Sequence, residues 1–314
     1  MDVDFSELGD ALPDFDPGYL GGVPVKAADY LTYYGLHFSA QGMPVQQTIG
    51  KLQADGERIV CQYFKPRKVE ATCFIQHGYL DHTGLYARFI ARLLTQNIAV
   101  VIHDMPGHGL SSGDQADTDS FHHYSKALDA VVQRCKSEIP KPWVMLGQST
   151  GGAVAMSYAL SYNQGHFERT VLCAPLVYPK GWRWMRIIVP LMNIWLPSIK
   201  RTHALSSHDH KFLFFLENKD PFQAKLLPLR WLRSNFHWVR WLWRQPTNDH
   251  PVLLLQGDND QTVDWQYNVP VIQRLFSQCH TEYLPSGRHR LINEGAGLFE
   301  KVVAYSVRYI KGEL

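Results

Sequence analysis

Cysteine is scarce in this chain and follows no pattern. The five residues, Cys61, Cys73, Cys135, Cys173 and Cys279, are odd in number, scattered, and show no C-x-x-C spacing. They read as reduced, mostly core thiols of a cytosolic protein, not as a disulfide framework. Charge of one sign is lacking as well. The net charge is +2, which gives no global case for a nucleic-acid partner. No stretch reaches about 18 consecutive apolar residues, so no membrane span is expected. Met1 to Asp16 is acidic and has no basic segment leading into an apolar run, so no signal peptide is expected. Internal repeats and low-complexity tracts are missing too. A cytoplasmic protein is expected, with peripheral attachment at the inner membrane face as the variant. The sequence carries no signal for an oligomeric state.

What is present suffices for one large domain, or for a domain with an inserted subdomain: 314 residues, 45% hydrophobic and 19% charged. The centre of the chain's logic is Val144-Met145-Leu146-Gly147-Gln148-Ser149-Thr150-Gly151-Gly152. An apolar run ends at Gly147, and a small-residue segment to Leu160 reads as a buried helix. This is G-x-S-x-G at a strand-to-helix turn, where a strained serine is lifted off a sheet. The amide after it, on Thr150, then points to where an oxyanion would form.

Around this turn the chain alternates. Residues 1–44 look like an irregular lead-in with a short helix near Ala27 to Tyr34. Val45 to Leu52 and Arg58 to Phe64 read as a hairpin. Ala71 to Gln76, Ile98 to Ile102, Thr170 to Cys173, Val252 to Gln256 and Thr281 to Leu284 read as further strands. Amphipathic helices lie between them, one carrying Leu85, Phe89, Ile90, Leu93 and Leu94, another Phe121 to Cys135, another Val269 to Phe276. The last helix holds Leu298, Val302, Val303, Ser306 and Ile310 on one stripe. Such alternation predicts an α/β fold, a mostly parallel central sheet with helices on both faces. Ligands then sit beyond the carboxyl ends of the strands. The core is expected over 45–175 and 250–314.

Between them, 176–249 breaks the pattern. It holds seven of the nine tryptophans (Trp182, Trp184, Trp195, Trp231, Trp238, Trp241 and Trp243) and more Lys and Arg than acid. It reads as an inserted helical cap, or lid. Two readings of its aromatics stand level. Trp182-Arg183-Trp184 to Val189 and Trp231 to Trp243 dock on a membrane interface, or the rings pack the cap's own core. Aromatic walls lining an acyl channel are a third. Gln148, Trp182 and Trp184 are therefore candidates for substrate or cap contacts.

A serine hydroxyl needs an imidazole to take its proton and a carboxylate to orient that imidazole. After Ser149, Asp260 and His289 stand on turns following strands, in the order Ser, Asp, His. Asp258 and Asp264 are rival acids. Asp260 is preferred because it lies three residues past Gly257, where the turn can aim it at the histidine. Tyr79, after His77-Gly78, is the candidate for the second oxyanion amide, and His77 is expected to bond locally. His203, His208 and His210 with Asp209 lack a second ligand group, so no metal is expected. His122-His123 reads as the start of a helix.

His77-Gly78-x-x-Asp81-His82-Thr83-Gly84-x-Tyr86 resembles the H-G-x-x-E/D-H-S/T-G-x-Y signature of monoacylglycerol lipases and bacterial lysophospholipases. Asp104-x-x-Gly107-His108-Gly109-x-Ser111 is similar to their D-x-x-G-H-G-x-S turn. The resemblance covers 45–175 and 250–314. It implies an α/β-hydrolase fold and an esterase needing no cofactor. It also implies Ser149, Asp260 and His289 as the triad, with Tyr79 and Thr150 as oxyanion donors. Gly147-Gln148-Ser149-Thr150-Gly151 departs from the G-H-S-M-G of many relatives, which is expected to narrow or polarise the acyl pocket. The function expected is cleavage of the acyl ester of a single-chain lipid, a monoacylglycerol or a lysophospholipid. A carboxylesterase for small or xenobiotic esters is the nearest alternative. An aminopeptidase, which needs a cap carboxylate for the substrate amine, and a non-catalytic hydrolase-fold binding protein are more distant. Haloalkane dehalogenase and epoxide hydrolase chemistry needs an aspartate where Ser149 stands.

Overall fold

The apolar runs of the sequence pair side by side into an eight-stranded sheet in the order β1-β2-β4-β3-β5-β6-β9-β10. The structure is a computed structural model and describes residues 4–19, 21–162, 165–192, 196–201 and 205–314. In chain order the elements are α1 (Leu8–Ala11), α2 (Ala28–Tyr33), β1 (Val45–Ala54), β2 (Glu57–Pro66), β3 (Ala71–Gln76), α3 (Ala87–Thr95), β4 (Ile98–His103), α4 (Phe121–Cys135), β5 (Trp143–Gln148) and α5 (Thr150–Ser161). Then come β6 (Arg169–Cys173), α6 (Trp182–Met192), β7 (Ser198–Lys200), α7 (His210–Asn218), β8 (Leu226–Pro228), α8 (Leu229–Leu242), β9 (Val252–Gly257), α9 (Trp265–Leu275), β10 (Cys279–Leu284) and α10 (Ala296–Ile310).

The β1–β2 hairpin and the β2–β4 pair are antiparallel; every later pair in the large sheet is parallel. The parallel strands β3, β4, β5 and β9 are buried along their whole length, which is why they read as unbroken apolar runs. Their side chains alternate between two cores. Phe74, Met145 and Leu254 face the side covered by α4, α5 and α9. Ile75, Leu146 and Leu255 face the side covered by α3 and α10. This is the doubly covered arrangement expected from the alternation, with the helix-bearing loops gathered past the strands' carboxyl ends.

The irregular lead-in packs against the rest of the fold. Phe5, Leu8, Leu12 and Phe15 are buried, and Phe15 and Lys51 exchange backbone bonds with each other's strand edge through Phe15 N–Lys51 O (2.7 Å) and Lys51 N–Pro13 O (2.8 Å). Helix α9 begins at Trp265, four residues before Val269, and runs through Pro270. The stretch between β6 and β9 holds α6, α7 and α8 and also a two-stranded ribbon of β7 and β8, which the sequence reading did not include.

Candidate active site

Strand β5 delivers Ser149 to the end of the sheet in a backbone conformation that L-residues avoid, φ 54° and ψ −115°. The flanking glycines make that turn feasible. A Cβ on Gly147 would run into the carbonyl of Gly151, and one on Gly151 into the carbonyl of Gln76 in the neighbouring strand loop. The Ser149 amide is held by Cys173 O of β6 at 3.0 Å. The hydroxyl thus sits over the N-terminus of α5, where the helix leaves its first amides without intrahelical acceptors.

His289 meets it from the loop after β10. Its Nε2 lies 2.8 Å from Ser149 Oγ, and its Nδ1 lies 2.8 Å from Asp260 Oδ2. An ionised carboxylate only accepts, so Nδ1 carries the hydrogen and Nε2 is left to accept from the serine. Asp260 is fully buried on the turn after β9. Its Oδ1 accepts from the amides of Thr262 (2.7 Å) and Val263 (3.1 Å), and Gln256 Nε2 reaches Oδ2 at 3.3 Å. Burial alone would raise its pKa. The adjoining His289 and the donated hydrogen bonds outweigh burial and hold the carboxyl below its ordinary value. The rival acids are occupied elsewhere: Asp258 accepts from Ser286 N (2.6 Å), and Asp264 from Trp182 Nε1 (3.0 Å). Gln148 Nε2 donates to the carbonyl of His289 at 2.8 Å, tying the imidazole's backbone to the serine turn.

The loop after β3 forms the opposite wall. His77 bonds locally, as expected: Nε2 accepts from Met105 N at 2.9 Å and Nδ1 donates to Gly78 O at 2.8 Å. Burial pushes its pKa below the usual histidine range, which keeps it neutral. Tyr79 and Thr150 line one cavity with Ser149 and His289, and among the described residues their backbone amides donate to no protein acceptor. The Tyr79 ring stacks on Trp231 of α8, centroids 3.8 Å apart and planes 18° apart, so the insertion steadies this loop. The following residue, Leu80, has φ 63°.

The turn after β4 proves to be scaffolding for the loop after β3. Asp104 Oδ1 accepts from Thr83 N (2.7 Å) and Oδ2 from Leu110 N (2.8 Å), while Ser111 Oγ donates to Asp104 O (2.7 Å). Two pairs at the site have no local signature in the sequence. Asp81 forms a buried ion pair with Arg290, the residue after His289. His82 meets Asp220 of the insertion at 3.1 Å, both side chains shut off from solvent. Asp220 also accepts from Tyr34 OH (2.8 Å) and Gln223 Nε2 (2.7 Å).

The cavity above Ser149 has a volume of about 320 Å³. Leu176, Met185, Leu213, Leu216, Trp231 and Leu232 give it an apolar wall. Trp182 and Trp184 are not part of that wall. Trp182 is buried, stacked on Tyr178 at 4.0 Å with its Nε1 bonded to Asp264, so it cannot dock on a membrane. Trp184 points outward and is 73% exposed. Trp231 and Trp238 are also buried. Trp195 and His203 lie outside the described residues. His208 pairs with Glu294 at 3.1 Å, and no cluster of three metal-ligating side chains occurs among the described residues.

A model of the serine aminopeptidase S33 family matches residues 67–296, a span from the end of β2 to the start of α10. The chain belongs to the serine aminopeptidase S33 family. This S33 chain is a serine hydrolase. It is 27% identical to a human monoglyceride lipase over 266 residues, covering 81% of this chain and 86% of that protein. A Bacillus subtilis (strain 168) phospholipase, YtpA, is 22% identical over 79% of this chain and 99% of its own length. Among solved structures, a soluble variant of monoglyceride lipase from Saccharomyces cerevisiae superposes with a TM-score of 0.72 at 18% identity. It covers 84% of this chain and 94% of that one, and has the same α/β-hydrolase fold.

Proposed function

We propose that the protein is a serine ester hydrolase that cleaves the acyl ester of a single-chain lipid, a monoacylglycerol or a lysophospholipid. The observation that carries this reading is the unbroken Ser149–His289–Asp260 chain of 2.8 Å contacts opening into an apolar cavity. Ser149 Oγ attacks the ester carbonyl while His289 Nε2 takes its proton. Asp260 keeps the imidazole in the productive tautomer and stabilises the imidazolium. The amides of Tyr79 and Thr150 receive the oxyanion. His289 then returns the proton to the leaving alcohol, and water activated by the same imidazole releases the fatty acid. No cofactor enters this cycle. Gln148 lines the cavity and holds the backbone of His289.

Residues 176–249 serve in this reading as the lid of the acyl pocket. The outer face of α6 presents Trp184, Ile187 and Ile188 to solvent beside the exposed Arg183 and Arg186. Apolar rings and cationic heads on one helix face suit the interfacial zone of a bilayer, where a lipid substrate resides. No helix among the described residues is long and apolar enough to cross a membrane. Attachment is therefore read as peripheral, and the free cysteines suit a reducing compartment such as the cytoplasm.

The test is fatty-acid release from monoolein, oleoyl lysophosphatidylcholine and p-nitrophenyl butyrate, with Ser149→Ala as control. Release from at least one of the two lipids, lost in the variant, is expected. Cleavage of the short ester alone would turn the reading to a carboxylesterase for small esters, and cleavage of none would end it.

A further inference from the structure

One sector of the cavity wall is cationic. Arg201 extends the ribbon beyond β7, with its amide donating to Lys225 O at 3.1 Å. Its side chain is half-buried and lines the cavity together with Ser149 and His289. The guanidinium donates to two neutral acceptors, Gln223 Oε1 at 2.6 Å and Ala224 O at 3.5 Å, both from Nη1. Nε and Nη2 are left over, and no carboxylate pairs with Arg201 among the described residues. Burial first, and the charge of Arg290 second, pull its pKa below the ordinary arginine value. Both guanidinium-bearing residues, Arg201 and Arg290, line the cavity. Arg290 is paired with Asp81; the charges of Asp81 and Asp220 also reach Arg201, but among the described residues neither forms an ion pair with it. Glu217, the other acid of the wall, is solvent-exposed and already engaged.

A partly buried guanidinium without a counter-ion is costly, and its free planar edge is the shape that takes a phosphate through two parallel N–H donors. Its place relative to the reaction follows from the proton's path. The leaving oxygen must receive the proton held on His289 Nε2, so the alcohol half of the ester lies on the His289 side. Arg290 is the next residue, and Arg201 lies within its field. The apolar wall is left for the acyl half.

We propose that Arg201 is a phosphate-recognition residue for the leaving alcohol. The preferred substrates are then lysophospholipids, not neutral monoacylglycerols. This rests on the ester-hydrolase reading of Ser149 given above.

The experiment compares kcat/KM for fatty-acid release from oleoyl lysophosphatidic acid and from monoolein in the same mixed micelles. Wild type, Arg201→Gln and Arg201→Lys are measured. Wild type should favour the phosphate ester by about tenfold or more, the yield of one well-placed charge-assisted contact. Arg201→Gln should lower that preference by a similar factor, through KM, and Arg201→Lys should restore part of it. An unchanged ratio in Arg201→Gln, the outcome of a merely structural role, overturns the proposal, as does a wild-type preference for monoolein. A second measurement needs no variant. sn-Glycerol 3-phosphate should compete with p-nitrophenyl butyrate hydrolysis by wild type where glycerol does not. Equal inhibition by inorganic phosphate would mark a site for the free ion and overturn headgroup recognition, as would no inhibition by either. If p-nitrophenyl butyrate, monoolein and oleoyl lysophosphatidic acid are all left uncleaved, the ester-hydrolase reading itself fails; cleavage without phosphate preference sinks only this inference.

Discussion

Ser149 carries strain that its neighbours make tolerable, and each of those neighbours can be tested separately. Replacing Ser149 or His289 by Ala should cut kcat by several orders of magnitude while leaving thermal stability nearly unchanged, since neither fills the core. Asp260→Asn should cost roughly 10⁴-fold, because the amide can donate to Nδ1 and so favour the wrong tautomer; steady-state kinetics on a soluble ester measures both. Gly151→Ala belongs to a different class. Its Cβ would collide with the backbone of the β3 loop, not with a mobile side chain, so the fold itself should suffer. A lowered melting temperature along with lost activity is expected, and a variant of normal stability would contradict the packing described for this turn. At this scale much was legible in the sequence. Ser149 and Asp260 follow apolar runs and His289 follows the strand-like segment Thr281 to Leu284, so their places at one end of the sheet followed from the pattern. The Arg290–Asp81 and His82–Asp220 pairs were not legible. Their partners are 209 and 138 residues apart, and nothing local in a charged side chain announces a distant counter-ion.

At the scale of elements, the joint between the insertion and the sheet is electrostatic where it is deepest. The end of α7 hands Asp220 to His82, and α2 adds Tyr34 OH and the 2.7 Å bond from Tyr33 OH to Lys219 O. Burial and then the nearby His82 set the pKa of Asp220: the partner's charge wins and lowers it from 3.8 to about 2. Burial would lower that of His82, but Asp220 outweighs it and raises the value above 6.5. The lowered carboxyl contributes stability above about pH 4 that is lost as pH falls towards 2. The raised imidazole contributes stability below about pH 6.5 that is lost as pH climbs through its folded value. Asp220→Asn should therefore destabilise the protein most between about pH 4 and 6.5, by roughly 3–5 kcal/mol as for other broken buried pairs. Denaturation across pH reads the window, and a deficit that stays flat across it would contradict the ion pair. Helix α6 tests the outer face of the same insertion. Trp184→Ser should weaken co-sedimentation with anionic vesicles, and unchanged binding would remove α6 from the docking surface. The ribbon of β7 and β8 escaped the sequence reading because three residues per strand show no period. The start of α9 was placed too late: the helix opens at Trp265 and runs through Pro270.

For the whole molecule, a doubly covered sheet carries Ser149, Asp260 and His289 past its strand ends, and residues of the insertion line the cavity above them. The fold class was legible because parallel strands buried on both faces cannot alternate with polar residues, and their runs stand out. The insertion was legible as an interruption but not in its packing. Tryptophans that bury themselves, such as Trp182 and Trp238, and one that faces solvent, Trp184, look alike in sequence. Trp238 binds the insertion to the sheet side through a 2.6 Å bond to Ser157 of α5. The account stands or falls on Ser149 being a nucleophile activated by His289. The most direct measurement is intact-protein and peptide mass spectrometry after reaction with a fluorophosphonate. A single adduct on Ser149 is predicted, absent in Ser149→Ala and slowed by orders of magnitude in His289→Ala. An adduct elsewhere, or labelling of Ser149 at an undiminished rate without the imidazole, would contradict it.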